Sequence, residues 1–165
     1  MKKYLKYKMI KVLVLGDKGV GKSTLIKRFV HHLFVTQYEP TTQYSLYPKE
    51  LIIHDESYLL GIIDTNSNID MHLKEIDSII LVYSITDLSS FLSIPAYLTR
   101  INKLRDNVTI CLVGTKSDLF QQRKVSTQIA KQLANEYNIP FYEVSSFNRN
   151  NINFPFISMT QKLSP

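Results

Sequence analysis

The chain has 165 residues, of which 44% are hydrophobic and 21% charged. This is the composition of one globular domain that buries its own core, so a wholly disordered or fibrous chain is excluded. No window approaches the ~18 uninterrupted apolar residues of a membrane span, and the first residues do not read as a secretory leader, since the apolar run before Gly16 has no small-residue cleavage site. The net charge is +6, but Lys2, Lys3, Lys6, Lys8 and Lys11 supply five of those charges without any acid among them, leaving residues 12–165 near +1. A near-neutral body argues against a nucleic-acid partner. The single cysteine, Cys111, excludes an internal disulfide and suits a reducing compartment.

In chain order, short apolar runs alternate with helical patterns, as in βαβ units around a mainly parallel sheet. Met9–Leu15 (MIKVLVL) predicts a strand entering a glycine-rich turn, and Ser23–His32 a helix with Leu25, Phe29 and Leu33 spaced by four. Residues 33–44 lack periodicity, contain Pro40 and read as a long loop. Leu46–His54 and Tyr58–Asp64 predict two strands joined by the polar turn His54-Asp55-Glu56-Ser57. Ile79–Ile85 (IILVYSI) fits a strand buried on both faces. The next helix carries Phe91, Ile94, Leu98 and Ile101 on one stripe, and Pro95 must lie in its first turn or kink it. Val108–Gly114 predicts another buried strand. Ser126 is the expected N-cap of a helix carrying Ile129, Leu133 and Tyr137 at spacing four and ending at Asn138. Phe141–Ser145 reads as the last strand and Asn150–Leu163 as the last helix, despite Pro155. The expected fold is a single α/β domain, 1–165, with about six strands, four or five helices and a basic N-terminal extension over 1–8.

Gly16-Asp17-Lys18-Gly19-Val20-Gly21-Lys22-Ser23 fits G-x-x-x-x-G-K-[ST], and it stands between a strand and a helix, as the motif requires. Glycines let successive backbone N–H groups turn inward as an anion nest, and a helix beginning at Lys22 directs its N-terminal dipole to the same place. Lys22 is expected to reach the β- and γ-phosphates of a nucleotide and the Ser23 hydroxyl to bind Mg²⁺, with Thr24 in the same stretch. The bland alternative, a glycine-rich turn without a ligand, is disfavoured by the strand–loop–helix context. The loop does not choose between ATP and GTP.

The base is read elsewhere. The strand Val108–Gly114 ends in Thr115-Lys116-Ser117-Asp118, at the carboxyl end of a strand where open α/β sheets hold ligands. Guanine presents two adjacent donors that one carboxylate accepts together, whereas adenine presents an acceptor and a donor. Asp118 is the candidate reader, and the stem of Lys116 can cover a base or ribose face. The next strand ends in Ser145-Ser146-Phe147, where a backbone N–H can meet the guanine carbonyl.

With these segments in this order, the chain resembles a Ras-like small GTPase over almost its whole length. GDKGVGKS is similar to that family's phosphate loop and Phe34-Val35-Thr36-Gln37-Tyr38-Glu39-Pro40-Thr41 to its first switch. Asp64-Thr65 begins its third motif, normally D-T-A-G-Q, VGTKSDL (113–119) resembles N/T-K-x-D, and Ser145-Ser146-Phe147 resembles S-A-K. The YEPT segment and the 27-position gap between Asp118 and Ser145, too short for an inserted helix, favour a Ras-type over a Rho-type relative. The resemblance implies a P-loop NTPase G domain that binds GTP or GDP with Mg²⁺ as a molecular switch, meeting protein effectors and regulators through residues 34–46. It also implies that Phe34 stacks edgewise on guanine and that Thr41 binds Mg²⁺ and senses the γ-phosphate, with Thr42 the neighbouring alternative. Asp64 would hold Mg²⁺ directly or through a water. Ser23, Thr41, Asp64 and phosphate oxygens form a coherent donor set for a hard cation.

The resemblance breaks at Asp64-Thr65-Asn66-Ser67-Asn68. Ser67 replaces a glycine, and its Cβ restricts the backbone there. Asn68 stands where glutamine would orient the attacking water and is one methylene short, so beside Lys22 and Thr41 it is a poor catalytic residue. The stretch from Asp64 to Ile85 is shorter than the family's, and Lys18 puts a bulky side chain where a partner's arginine finger would enter. Slow conversion of GTP to GDP plus phosphate is therefore expected. The competing reading is a hydrolysis-deficient GTP/GDP-binding interaction scaffold; an ATP-using P-loop kinase is disfavoured, because TKSD has no role there.

His31 and His32 read as a solvated helix end and Cys111 as a buried, inert thiol. The basic N-terminus reads either as a solvated tail or as a weak, salt-sensitive contact with an anionic membrane. The end Gln161–Pro165 shows no Cys-a-a-X box and Lys2 stands in place of a myristoylated glycine, so a cytoplasmic protein is expected.

Overall fold

The computed structural model describes residues 9–32, 45–65 and 73–164. The strands are β1 (Ile10–Leu15), β2 (Ser45–Ile53), β3 (Glu56–Asp64), β4 (Ser78–Ser84), β5 (Thr109–Thr115) and β6 (Phe141–Glu143). The helices are α1 (Lys22–His31), α2 (Leu88–Leu92), α3 (Ile94–Leu104), α4 (Thr127–Glu136) and α5 (Phe154–Leu163), with 3₁₀ turns at Leu73–Glu75 and Phe120–Gln122. The strands form one sheet in the order β2-β3-β1-β4-β5-β6. All neighbours pair in parallel except β2 with β3. This is the expected six-stranded, mainly parallel sheet.

The period of two along each strand splits the core into two layers. Leu13 and Leu15 of β1 and Ile79, Leu81 and Tyr83 of β4 face Phe91 of α2 and Ile94, Leu98 and Ile101 of α3. Val12, Val14, Ile80, Val82, Cys111 and Val113 face the other way, onto Leu25, Ile26 and Phe29 of α1 and Phe156 and Met159 of α5. Phe29 and Phe156 close that layer as a stacked pair with ring centroids 3.9 Å apart. β4, buried at all seven positions, separates the layers, which explains its uninterrupted apolar sequence.

Several local expectations change. The β2–β3 connection is a two-residue turn, with His54 and Asp55 at φ 50° and 65°, and Glu56 and Ser57 already pair in β3. Two successive left-handed residues match the twist of a tight hairpin, so no longer loop is needed. The Phe91–Ile101 stripe is fully buried but lies on two helices, not one. Asp87 caps α2 through the amides of Ser89 and Ser90; Ser93 ends it, and Pro95 sits in the first turn of α3, where its missing N–H costs nothing. Ser126 caps α4 as expected, accepting from the Ile129 amide at 3.2 Å. Its buried face, however, is Ala130 and Ala134, while Ile129 and Tyr137 are 55% and 38% exposed. Of the predicted stripe, Leu133 packs half-buried against the same core layer, while Ile129 and Tyr137 fall on the neighbouring stripe. β6 is three residues rather than five, and α5 starts at Phe154 rather than Asn150 because residues 144–153 turn to form part of the site. Among the described residues no helix is long and apolar enough to cross a membrane.

Candidate functional site

The site lies at the carboxyl ends of β1, β3, β5 and β6. β1 runs into Gly16, at φ 150°, where any Cβ would lie 2.1 Å from the Val82 carbonyl oxygen. The loop therefore begins with its backbone against β4, an approach that only glycine permits. Gly21, at φ 101°, is the N-cap of α1; it offers no side-chain cap, and the first turn carries no acid. The opening amides of a ten-residue helix thus face the loop with no acidic residue in the helix's own first turn.

Lys22 is only 7% exposed. Its ammonium donates to the carbonyls of Gly16 and Asp17, both at 2.9 Å. Burial pulls its pKa down, and the charges of Asp64 and Asp17 push it back up. Asp64, at the end of β3, is 1% exposed. A buried lysine within electrostatic reach of a buried carboxylate, at the carboxyl ends of the strands, marks a candidate functional site.

The segment after β5 is bonded to that loop. The Thr115 hydroxyl lies within hydrogen-bond reach of the Val20 and Tyr83 carbonyls. Lys116, in left-handed backbone geometry at φ 61°, donates to the Gly19 carbonyl at 3.1 Å. The Ser117 amide donates to the Val144 carbonyl at 3.1 Å. The Ser145 hydroxyl donates to Asp118 Oδ1 at 2.6 Å and accepts from the Asn148 amide. Ser146 is half-buried, whereas Phe147 and Lys18 stand exposed at the rim. The predicted segments 16–24, 115–118 and 145–147 and the carboxylate of Asp64 thus gather at one end of the sheet. Phe34, Thr41 and Asn68 lie outside the described residues.

Four further residues belong to this neighbourhood. Arg28 of α1 donates to the His32 carbonyl at 2.8 Å and the Phe147 carbonyl at 3.0 Å, and Arg149 donates to the same His32 carbonyl at 3.0 Å. The end of α1 is thereby latched to the 145–149 loop. Ser93 and Tyr97 of α3 donate to the two carboxylate oxygens of Asp17, at 2.8 and 3.0 Å. No motif flags these residues; only the sheet order brings them here. His31 and His32 are exposed and Cys111 is fully buried, as expected.

A loop of this geometry, opening onto a helix with its lysine turned inward, defines a phosphate-loop nucleotide-binding domain. The Ras family model matches residues 11–164. The Ras-like protein rasX of Dictyostelium discoideum is 36% identical over 92% of this chain and 75% of its own length. The Ras-like proteins rasV and rasU of the same organism are 36% and 35% identical, over 90% and 92% of this chain and 68% and 74% of their own lengths. The chain belongs to the Ras family. It is a GTP-binding protein of the molecular-switch class.

Proposed function

We propose that this chain binds GTP and GDP with Mg²⁺, reads guanine through Asp118, and hydrolyses GTP slowly. The observation that carries the reading is the union of distant segments at one rim: Lys116 bonds to the phosphate loop while Ser145 aims the Asp118 carboxylate. A carboxylate has about four acceptor positions, so the Ser145 bond leaves capacity for the guanine N1–H and exocyclic amine. The Ser145 amide already donates to the Asn150 carbonyl at 3.0 Å, which gives the guanine carbonyl to Ser146 or Phe147. On nucleotide binding Lys22 exchanges its two loop carbonyls for phosphate oxygens, and the amides from Gly16 to Thr24 hold the rest of the phosphate chain. Phe34 stacks on the base.

The donor chemistry fits Mg²⁺. The hydroxyls of Ser23 and Thr41 and the carboxylate of Asp64 are hard oxygen donors, which together with phosphate oxygens suit Mg²⁺. Ser23, Asp64 and Thr41 would hold it, and bound there it would neutralise charge on the phosphates. Slow hydrolysis follows from Ser67 and Asn68, since a displacement of about 1 Å in the attacking water costs on the order of 10²-fold. Effectors and regulators meet residues 34–46, of which Leu46 on the edge strand β2 is 44% exposed. The working compartment is the cytoplasm, and fractionation in high salt checks it.

The test is the nucleotide released on denaturing the purified protein, followed by single-turnover hydrolysis. Guanine nucleotide and a rate well below that of ordinary Ras-like proteins are expected. Asp118→Asn should weaken GTP and GDP and favour xanthine nucleotides, because an amide replaces an acceptor by a donor. Equal affinity of the native protein for ATP and GTP would sink the guanine reading.

A further inference from the structure

Asp17 places a carboxylate inside the loop that is to cradle phosphates, two charges that repel. The residue faces two ways. Its carbonyl accepts from Lys22 at 2.9 Å, inside the loop, while its side chain reaches outward to α3. There each carboxylate oxygen has its own neutral donor: Ser93 Oγ at 2.8 Å from Oδ2 and the Tyr97 hydroxyl at 3.0 Å from Oδ1. Ser93 Oγ also lies 3.1 Å from the Ser89 carbonyl, but a hydrogen bond to a charged acceptor is the stronger of the two. Both donors are half-buried, and Tyr97 packs against the core layer of Ile94, Leu98 and Ile101, which fixes where its hydroxyl sits.

We propose that Ser93 and Tyr97 are positioning residues of the nucleotide site, holding the Asp17 carboxylate on α3 and away from Lys22, so that the lysine is left to the β- and γ-phosphates. This rests on the nucleotide-binding reading above. Lys22 is largely desolvated and already feels the charges of Asp64 and Asp17. A released Asp17 carboxylate would turn toward the ammonium and compete with phosphate for it. Competition of this kind penalises the ligand with more negative charge, so GTP loses more than GDP. α3 thereby becomes part of the phosphate site although its residues touch no nucleotide, and a partner pulling on α3 would alter which nucleotide is retained.

The experiment measures equilibrium affinities for fluorescent GDP and a fluorescent non-hydrolysable GTP analogue. The variants are Ser93→Ala/Tyr97→Phe, Tyr97→Phe alone, and each of these combined with Asp17→Asn. Releasing the carboxylate should lower the GTP-to-GDP affinity ratio by about three- to tenfold in the double variant, and by a smaller factor in Tyr97→Phe, which loses one hydroxyl and keeps the ring. Asp17→Asn in either background should return the ratio to within about twofold of native, because the competing charge is gone. Loss of α3 packing alone would weaken both nucleotides together and would not be rescued at Asp17. An unmoved ratio, or a loss that Asp17→Asn leaves in place, overturns the proposal while native nucleotide binding stands. Native protein that binds neither nucleotide overturns the function and this proposal with it.

Discussion

At the scale of single residues, two close approaches decide what this fold tolerates. Gly16 has no room for a Cβ, which would lie 2.1 Å from a backbone oxygen that cannot move without displacing β4. Gly16→Ala should therefore cost over about 3 kcal/mol and abolish nucleotide retention. Gly19, at φ 79° with nothing within 4 Å of its Cβ direction, is the control. Gly19→Ala should cost only the left-handed backbone penalty, about 1–2 kcal/mol, with urea titration of both variants as the check. The second approach is Tyr83, which is fully buried, its hydroxyl without a hydrogen-bond partner among the described residues. A Cβ on Gly114 would lie 2.7 Å from that hydroxyl, so the glycine makes room for the phenol. Tyr83→Phe removes an unsatisfied buried group and keeps the ring that meets Phe91 edge-on at 5.1 Å. It should be neutral or stabilise by up to about 1 kcal/mol; a loss of more than that would mean the hydroxyl has a partner in solution.

At the scale of elements, the helix starts divide by what completes them. α2 and α4 are closed by their own side chains, Asp87 and Ser126. Ser126→Ala should destabilise by about 1 kcal/mol without touching nucleotide affinity, since α4 packs through Ala130 and Ala134 on the face of the sheet away from α1 and α5. α1 has no such cap and no acid in its first turn, so on the proposed function a bound nucleotide would complete its opening amides. Stripping nucleotide should then lower stability by about 2.7 kcal/mol relative to protein held at a hundred times the dissociation constant. Thermal unfolding with and without added GDP checks this; equal transitions would mean that α1 is complete by itself. β6 is short, but a bidentate pair compensates: Arg123 donates to both oxygens of Glu143, at 2.7 and 2.8 Å, tying the strand to the segment before α4.

At the scale of the whole molecule, Asp17 and α3 couple the loop to one face of the sheet, and that coupling has a signature in pH. Burial first, and then the hydrogen bond to Asp17 and its charge, raise the Tyr97 phenol from 10.0 to about 12, with Arg100 opposing. The folded chain holds this proton more tightly than the unfolded one. Its contribution is complete below pH 10.0 and is lost as pH climbs through about 12. Tyr97→Phe should flatten the fall in stability over that window relative to native protein, measured by urea unfolding on both sides of it. An unchanged slope would mean that the phenol titrates normally.

Much of this architecture was legible in the residues alone. The apolar runs, the strand–loop–helix of GDKGVGKS, the carboxylate after β5 and the serines after β6 are local patterns, set by backbone geometry and the period of burial, and they survive reading one segment at a time. Local patterns with two solutions are not decided by the residues alone: Ile129 and Tyr137 have helical spacing, but so do Ala130 and Ala134, and only contact with the sheet buries the smaller pair. What no segment contained was which distant side chains meet. Ser93 and Tyr97 stand 76 and 80 positions from Asp17, and Arg28 stands 119 from Phe147. The sheet order and register set those meetings, and they depend on packing all the elements together; a hydroxyl on a helix carries no mark of the carboxylate it will face.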